Sequence, residues 1–370
     1  MIIMATKKTG ISLDLIIHPG ETIGDVLEER GISQAELAAR TGVSAAYISN
    51  VISGKKDISS KFAMSLEYAL GVPKSFWLNL QANYDAELLE INQELTITNE
   101  EKQACKILAE VIEYLQKVKA IPIAQRVEET ILSLRKALQI SNIDNLKNLL
   151  PEGAFRMSQK TAIDPYVMGA WLRICQIIGE KNPINTCFDA TRTNDLINEI
   201  KSIMTKPKCN VQEELFHVMA QYGIHFSVVR NFKGAPVHGY ISQKTDGTYQ
   251  MVVTIRGAYA DIFWFSLFHE LGHIVNGDVS RGARYIDIAE NDNAQHEHAA
   301  DRFASNALLN EDDYLQFVRC GKYLINDISR FAAEQKVMPY IVIGRLQKDG
   351  HIPYTWHSRY KLRYKWAEHA

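Results

Sequence analysis

The sequence Ile262-Phe-Trp-Phe-Ser-Leu-Phe-His269-Glu270-Leu-Gly-His273-Ile-Val-Asn-Gly277 predicts an apolar helix that carries a His-Glu-x-x-His pattern. Histidines four residues apart lie one turn from each other on one face of an α-helix, so both imidazoles can reach a single metal ion. Glu270 lies between them and can take a proton from a water beside that ion, which is the arrangement of a zinc peptidase helix. The apolar run before His269 predicts that the helix is buried, and Gly277 ends it.

A second predicted helix, at residues 291–309, supplies candidates for a third ligand. Glu297 can complete a site of two histidines and one glutamate, which leaves the fourth tetrahedral position open. Asp301, one turn later, can accept the free ring N–H of a liganding histidine and fix its tautomer. His296 and His298 point to other faces and are second choices. Glu297 and Asp301 are also compatible with ordinary exposed carboxylates.

The composition is that of a globular protein long enough for two or three domains. The chain has 370 residues, of which 46% are hydrophobic and 23% charged, and its formal net charge is −2. This balance gives no overall attraction to nucleic acid or membrane. Five scattered cysteines without a C-x-x-C pair are typical of reduced thiols. No signal peptide is recognisable and no apolar run reaches the roughly 18 residues that span a bilayer, so we expect a cytoplasmic protein with no membrane partner.

Residues 21–82 have the caps and spacing of five short helices. Ser33 precedes one helix, and Gly42 turns the chain before Ser44 begins the next. Two short helices around such a turn predict a helix-turn-helix, whose second helix enters a DNA major groove. The residues that we expect to contact bases or phosphates are Gln34, Ser44, Ala45, Ala46, Tyr47, Asn50, Lys55 and Lys56.

This part of the chain resembles an Xre-type helix-turn-helix and, in two phrases, the HigA-type antitoxins of toxin–antitoxin modules. The phrases are His18-Pro-Gly-Glu-Thr-Ile-Gly24 and Phe76-Trp-Leu-Asn-Leu-Gln-Ala-Asn-Tyr-Asp85. The resemblance implies a regulator of transcription that binds double-stranded operator DNA. We expect a homodimer on a two-fold operator, because one small module makes few contacts. Residues 1–80 contain eight Lys or Arg and eight Asp or Glu, so no basic footprint is present, and a helical oligomerisation module without DNA binding is the alternative.

The remainder of the chain predicts a mainly α fold with a small antiparallel sheet, of the α+β class. Helical patterns fill residues 91–205, with one long helix expected at 98–119. Residues 223–255 predict a strand and a hairpin beside the metal helix, and an edge strand of that sheet can hold an extended substrate. The predicted domains are a helix-turn-helix domain at 1–90, a helical middle domain at 91–205 and a metallopeptidase domain at 206–370.

Two carboxy-terminal stretches have two interpretations each. Residues 326–350 repeat the helix-turn-helix rhythm, but their apolar second half favours two closing helices of the last domain. The tail at 351–370 carries basic residues among Tyr and Trp side chains. It can contact a phosphate backbone, although a solvated basic face is the commoner outcome.

Residues 210–350 are similar to the ImmA/IrrE family of metallopeptidases. The phrases that carry the similarity are residues 265–277 and Glu297-His-Ala-Ala-Asp-Arg-Phe-Ala304. The family often acts on a repressor, and members fused behind an Xre-type helix-turn-helix have the same domain order as this chain. The similarity therefore implies a protein substrate.

The same similarity implies Zn²⁺ bound by His269, His273 and Glu297, with Glu270 as the general base. Asp301 follows the thermolysin-like pattern of a ligand followed by a supporting carboxylate. A donor that would stabilise the oxyanion is not identified by the sequence. The candidates are Tyr285, His298, His351, Tyr354 and His357.

We therefore predict a DNA-binding transcriptional regulator that carries a zinc-dependent endopeptidase domain. Its substrate would be a regulatory protein, such as a repressor, an antitoxin or another partner from a toxin module. One alternative is a HigA-like antitoxin and repressor whose metal site serves structure or sensing without turnover. Another is an antitoxin whose carboxy-terminal domain binds a toxin. The open coordination position and the intact Glu270 favour the enzyme, since a structural zinc needs neither.

Overall fold

The computed structural model describes residues 16–150, 163–255, 259–279, 284–288 and 294–366, the strand at 284–288 by its backbone alone. The chain forms two compact units, which divide between Thr98 and Asn99. Each unit is described by itself below. The division into three domains stays a prediction.

The first unit is a bundle of five helices, as the sequence predicts. Ser33, Ser44 and Ser59 each cap the following helix, because the hydroxyl oxygen accepts a backbone N–H of the first turn. Gly31 and Gly42 end the first two helices in the left-handed conformation. The helices are α1 (Pro19–Arg30), α2 (Gln34–Thr41), α3 (Ala45–Ile52), α4 (Ser60–Leu70) and α5 (Lys74–Asn92), with a 3₁₀ turn at Gln93–Thr96.

The core of this unit fixes the angle between α2 and α3. Leu37, Ile48, Val51 and Leu66 are fully buried together with the indole of Trp77. The two helices on either side of Gly42 therefore form the helix-turn-helix that the spacing predicts.

The second unit begins with helices that precede the sheet. Residues 98–119 form two helices instead of the single one predicted. The break lies at Leu108, whose side chain is fully buried, so tertiary packing overrides the helical pattern here. The helices are α6 (Asn99–Ile107), α7 (Ala109–Lys117), α8 (Val127–Leu138), α9 (Pro165–Lys181), α10 (Thr193–Thr205) and α11 (Val211–Gln221), with 3₁₀ turns at Ile143–Leu149 and Ala190–Arg192.

A four-stranded mixed sheet lies at the centre of this unit, in the order β1-β3-β2-β4. The predicted hairpin is confirmed as the antiparallel pair of β2 and β3. The first strand pairs in parallel with β3, so the sheet is not purely antiparallel. Alternation of side chains along a strand specifies its buried face and not the direction of its partner. The strands are β1 (Ile224–Val228), β2 (Val237–Gln243), β3 (Tyr249–Val253) and β4 (Arg284–Ile288).

Helices cover both faces of the sheet. On one face Phe226 joins a core that contains Trp264 and Phe268. On the other face Gln250 donates a hydrogen bond of 2.5 Å to the carbonyl oxygen of Cys175 in α9. This burial holds the sheet firmly against the helix that carries His-Glu-x-x-His.

The last five helices contain the predicted metal-binding residues and the closing pair. Gly272 allows the first two helices to approach closely, since a β carbon at this position would lie 3.1 Å from the α carbon of Ala300. The closing helices predicted at 326–350 are confirmed, and the predicted class, mainly α with a small sheet, is confirmed as well. The helices are α12 (Ala260–Val275), α13 (Ala294–Leu308), α14 (Glu311–Cys320), α15 (Ile325–Glu334) and α16 (Pro339–Lys348), followed by a 3₁₀ turn at Ser358–Tyr360.

The segment after α16 packs against the start of α12. Ala260 donates its backbone N–H to the carbonyl oxygen of Leu362 at 2.9 Å, and the indole N–H of Trp264 donates to the hydroxyl of Tyr364 at 3.0 Å. The tail is thus part of the folded unit as far as it is described. Over the described ranges, none of the helices combines the length and apolarity that crossing a membrane requires.

Candidate metal centre and nucleic-acid interface

Three predicted ligands converge between α12 and α13. One ligand atom from each of His269, His273 and Glu297 lies within 4.8 Å of the other two. The Nε2 atoms of the histidines are 3.1 Å apart. One oxygen of Glu297 lies 3.2 Å from Nε2 of His269, and the other lies 3.9 Å from Nε2 of His273.

The outer ring nitrogen of each histidine faces a carboxylate. Nδ1 of His269 lies 2.9 Å from Asp301, as the sequence predicts. Nδ1 of His273 lies 2.8 Å from Asp278, a residue that the sequence analysis did not select. Hydrogen bonds of this kind fix the tautomer of a metal-binding imidazole and hold its ring in place.

This arrangement leaves electron pairs pointing at one another. With the ring protons on the two Nδ1 atoms, both Nε2 lone pairs point toward the carboxylate of Glu297. A cation shared by the three donors would satisfy these electron pairs. Tetrahedral zinc with ligands at about 2.0–2.1 Å requires donors about 3.3 Å apart. The separations of 3.1 and 3.2 Å fit this requirement, and the 3.9 Å between Glu297 and Nε2 of His273 is longer.

The pKa shifts of the centre agree with neutral histidine and ionised aspartate. Burial lowers the pKa of His273, and the neighbouring His269 lowers it further, against the opposing effect of Asp278. Burial alone would raise the pKa of Asp301, but the hydrogen bond with His269 and the positive charge of Lys348 outweigh it and lower that pKa. Neutral imidazole and carboxylate are the protonation states that bind a divalent metal.

Glu270 lies fully buried on the same helix. Its carboxylate lies against Gly239 of β2, where any β carbon would overlap it. The glycine of β2 therefore shapes the space that Glu270 occupies.

The sequence contained a weak signal for Asp278. Gly277 ends α12 with a φ of 73°, and this left-handed turn brings the next residue back toward the last helical turn. A carboxylate directly after such a glycine is therefore in reach of a histidine at the end of the helix. Asp278 also contacts Nδ1 of His296, so that histidine is engaged outside the three-residue cluster.

The candidates for an oxyanion donor differ in their surroundings. Nε2 of His357 lies 2.8 Å from the carbonyl oxygen of Tyr323. His298 lines a groove next to Asp301, and Tyr354 lines an apolar cavity near Phe265. The side chain of Tyr285 lies outside the described part of the chain.

The predicted nucleic-acid interface lies on α3 and its flanks. Six of its residues are exposed: Gln34, Ser44, Ala45, Ala46, Lys55 and Lys56. Asn50 and Tyr47 are half-buried, and the Tyr47 ring packs edge-on against Phe62 at a centroid distance of 5.1 Å. Lys56 lies over the other side of that ring, at 5.1 Å. Tyr47 thus belongs partly to the core, because its position on α3 turns the ring toward α4.

Comparison with known families matches both ends of the chain. Residues 23–77 match the helix-turn-helix family, and residues 239–347 match the family of IrrE N-terminal-like domains. Virulence-associated protein A′ from Dichelobacter nodosus is 42% identical over 69 residues, which are 18% of this chain and 60% of that protein. The chain therefore spans less than two thirds of that relative.

Solved structures similar to this chain cover a similar share of it. An antidote protein of a plasmid maintenance system from Nostoc punctiforme is 38% identical, over 22% of this chain and 97% of that one, with a TM-score of 0.19. The antitoxin HigA from Pseudomonas aeruginosa, solved with the higBA promoter, is 34% identical over 22% of this chain and 90% of that one, with a TM-score of 0.21.

The chain thus carries an Xre-type helix-turn-helix domain at its amino end and an IrrE/ImmA-like domain of the metallopeptidase type at its carboxyl end. Both resemblances that the sequence suggests are confirmed. This combination is that of a regulator with a protease-like domain.

Proposed function

We propose that this protein is a DNA-binding transcriptional regulator whose carboxy-terminal domain is a zinc-dependent endopeptidase. Its substrate is a regulatory protein, such as a repressor, an antitoxin or another partner from a toxin module. The observation that carries the proposal is the convergence of His269 and His273 of α12, the helix that also holds Glu270, with Glu297 of α13 within 4.8 Å.

The donor set supports zinc as the cofactor. Two imidazole nitrogens and one carboxylate oxygen are the ligands of many catalytic zinc sites, which keep a fourth position for water or substrate. Zinc bound there supplies positive charge that acidifies water and polarises a carbonyl group. Asp301 and Asp278 hold the two imidazole rings, and replacing such partners typically costs 10–100-fold in metal affinity.

Glu270 is the general base and then the general acid of the proposed reaction. Its carboxylate takes the proton of the attacking water and passes it to the leaving amine, because a protonated amine leaves more readily than an amide anion. Gly239 keeps the carboxylate in position, since any larger residue there would displace it.

The sheet offers a place for an extended substrate. The edge strand β4 pairs antiparallel with β2, and β2 is the strand that contacts Glu270. A peptide added at such an edge would be held by main-chain hydrogen bonds, with alternate side chains available for recognition. This supports a polypeptide substrate over a small molecule.

The amino-terminal domain supports binding to an operator. Ser44, Ala45 and Ala46 are exposed at the start of α3, where a recognition helix contacts base edges. Lys55 and Lys56 follow that helix and suit contacts with phosphates. We propose that a homodimer binds a two-fold site.

The decisive experiment compares wild type with Glu270→Gln at equal zinc content. Purified full-length protein is incubated with repressors or toxin-module proteins encoded near its gene, and fragments are identified by mass spectrometry. Cleavage by wild type and its loss in Glu270→Gln, with about one zinc ion per chain in both, is the expected result. Equal cleavage by both proteins would refute the assignment of Glu270.

An antitoxin-like repressor with a structural or sensory metal is the second candidate. Both phrases shared with HigA-type antitoxins contain residues that stabilise the first unit, because His18 caps α1 and Trp77 is fully buried in the core. This candidate predicts operator binding without turnover. A chelator that changes DNA affinity, with no cleavage of any substrate, would favour it over the endopeptidase.

A further inference from the structure

An apolar strip leads away from the predicted metal ligands along α12. Ile262, Phe265 and His269 are spaced by three and four residues, so their side chains share one face of the helix. The ring of Phe265 is tilted by 35° against the ring of His269, at a centroid distance of 6.3 Å. Ile262 is 39% exposed, although the rest of α12 is largely buried. The exposed face of the helix is therefore apolar for two turns beside His269.

This strip ends in an apolar cavity of about 240 Å³. Small-molecule sites usually occupy about 300–1,000 Å³. By itself this apolar cavity lies below that range and has the size for one large side chain. It is formed by α12, α13, α16 and the tail, and its apolar lining consists of Ile262, Phe265, Leu308, Leu309, Ile341 and Tyr354.

A second cavity, of about 460 Å³, shares lining residues with the first and extends to the carboxylate that supports His269. Asp301, which bonds to His269, lines this second cavity. Ser305, Arg345 and Lys348 line both cavities. A continuous groove therefore runs along α13 from the carboxylate beside His269 to the apolar cavity.

The rim between the two cavities carries the ammonium group of Lys348. The ammonium group of Lys348 lies 4.2 Å from the centre of the Phe265 ring. Arg345 is paired with Asp349 at 2.6 Å, and Lys361 is paired with Asp261 at 2.6 Å. Among the residues described, Lys348 makes no ion pair, although its charge acts on the nearby carboxylate of Asp301, so it can also attract an acidic group on a ligand.

The far wall of the apolar cavity is rigid. The side chains of Asp261 and Lys361 are each 10% exposed, and Gly344 makes room for Asp261, because a β carbon there would overlap its carboxylate. Gln347 accepts a hydrogen bond from Lys361 at 3.1 Å and donates to the backbone of Tyr354 at 3.2 Å. These bonds anchor the tail, so the cavity is part of the packed domain.

We propose that this cavity binds one large apolar side chain of an extended polypeptide substrate, and that Lys348 favours an acidic residue next to it. The inference rests on the proposed peptidase function and deepens it, because it assigns a sequence preference at a fixed distance from the cleaved bond. Its occupant is a polypeptide, since the groove begins at Asp301 and Phe265, which both contact His269, and ends in an apolar cavity of the size of one side chain.

Binding without cleavage tests this proposal. Fluorescein-labelled octapeptides with an alanine background carry a single Phe, which is moved through every position. Fluorescence anisotropy measures their affinity for full-length, zinc-supplemented Glu270→Gln protein. We expect the peptides with Phe at one or two of the positions to bind about 10–100-fold more tightly than the all-alanine peptide, since burial of one aromatic side chain has this effect.

Two variants fill the cavity, and a third serves as a matched control. Ile262→Trp and Ser305→Phe should remove the preference for Phe, whereas Leu324→Trp, at a residue that is 72% exposed and does not line the groove, should retain it. Melting temperatures show that each variant is folded. An Asp placed next to the preferred Phe should strengthen binding, and Lys348→Ala should abolish only that gain.

The proposal is overturned if Phe increases the affinity of the peptide at no position, or if Ile262→Trp and Ser305→Phe both retain the preference for Phe. The readout does not depend on catalysis. Absence of cleavage by the wild-type protein would therefore refute the peptidase function while the anisotropy result still decides whether the cavity binds a side chain.

Discussion

Gly239 of β2 lies directly against the carboxylate of Glu270 on α12, and a β carbon at residue 239 would overlap that carboxylate. Glu270 is fully buried, so it has little space into which it can move. We expect Gly239→Ala to lower peptide cleavage at least ~100-fold, since a displacement of about 1 Å has this effect on a catalytic group. Zinc content, measured by atomic absorption, should remain at about one ion per chain.

Gly24→Ala is the matched control for this substitution, because a β carbon there meets only the side chain of Ile52 at an ordinary 3.7 Å. It should leave cleavage unchanged. If Gly239→Ala cleaves as fast as wild type, the position of Glu270 does not depend on the glycine.

Asp278 should contribute to metal affinity as strongly as Asp301. Each carboxylate holds one imidazole, at 2.8 and 2.9 Å respectively. We expect Asp278→Asn to weaken zinc binding about 10–100-fold, measured by competition with a chromophoric chelator. Asp312→Asn, at an exposed position on α14, serves as the control, and equal affinity in both variants would contradict the role of Asp278.

Glu297→Ala should remove zinc more completely than Asp278→Asn, because it deletes a ligand and not a supporting carboxylate. Two histidines and water hold zinc less tightly than three protein ligands. Metal content after gel filtration, compared with that of Glu270→Gln, measures this difference. Retention of zinc at the wild-type level would exclude Glu297 as a ligand.

Lys55 and Lys56 should contribute to DNA affinity through phosphates, and Asn50 through bases. The probe is a duplex that the wild-type protein selects from a random pool. Lys55→Ala should weaken binding at all sequences and reduce the salt slope by about one. Asn50→Ala should relax the selected sequence at one position, and Lys322→Ala, in the second unit, should change nothing. A salt slope that is the same in Lys55→Ala and wild type would argue against a phosphate contact.

Lys201 should make stability depend on pH. Burial, with repulsion from Lys336, lowers its pKa from 10.5 to about 8. Below about pH 8 the folded state contains a charged, buried amine, which lowers the free energy of unfolding. Between about pH 8 and 10.5 the amine is neutral in the folded state but still protonated in the unfolded state, so the free energy of unfolding rises with pH. Lys201→Met should therefore raise the melting temperature most at pH 7, and the difference from wild type should shrink toward pH 10. An equal difference at both pH values would show that the charge of Lys201 is not the cause.

Local patterns in the sequence predicted most of what forms the site. The four-residue spacing of His269 and His273, and that of Glu297 and Asp301, place each pair on one face of its helix, and the structure brings the three predicted ligands together. The caps at Ser33 and Ser44 set the bounds of the helix-turn-helix in the same way. These features depend on residues close in sequence.

Features that depend on distant residues could not be predicted. The parallel pairing of β1 with β3 follows from the path of the whole chain, and the break at Leu108 follows from packing of its side chain. Asp278 was missed because its direction depends on the left-handed turn at Gly277. Tyr47 was expected to face DNA, but contact with Phe62 on a different helix turns its ring partly inward.

The hydrogen bond from Ala260 to Leu362 and the ion pair of Asp261 with Lys361 have a practical consequence for protein engineering. A chain truncated after Gly350 would strand a buried carboxylate without its counter-ion and would uncover the first turn of the helix that bears both histidines. Minimal fragments designed for crystallisation should therefore extend through Tyr364.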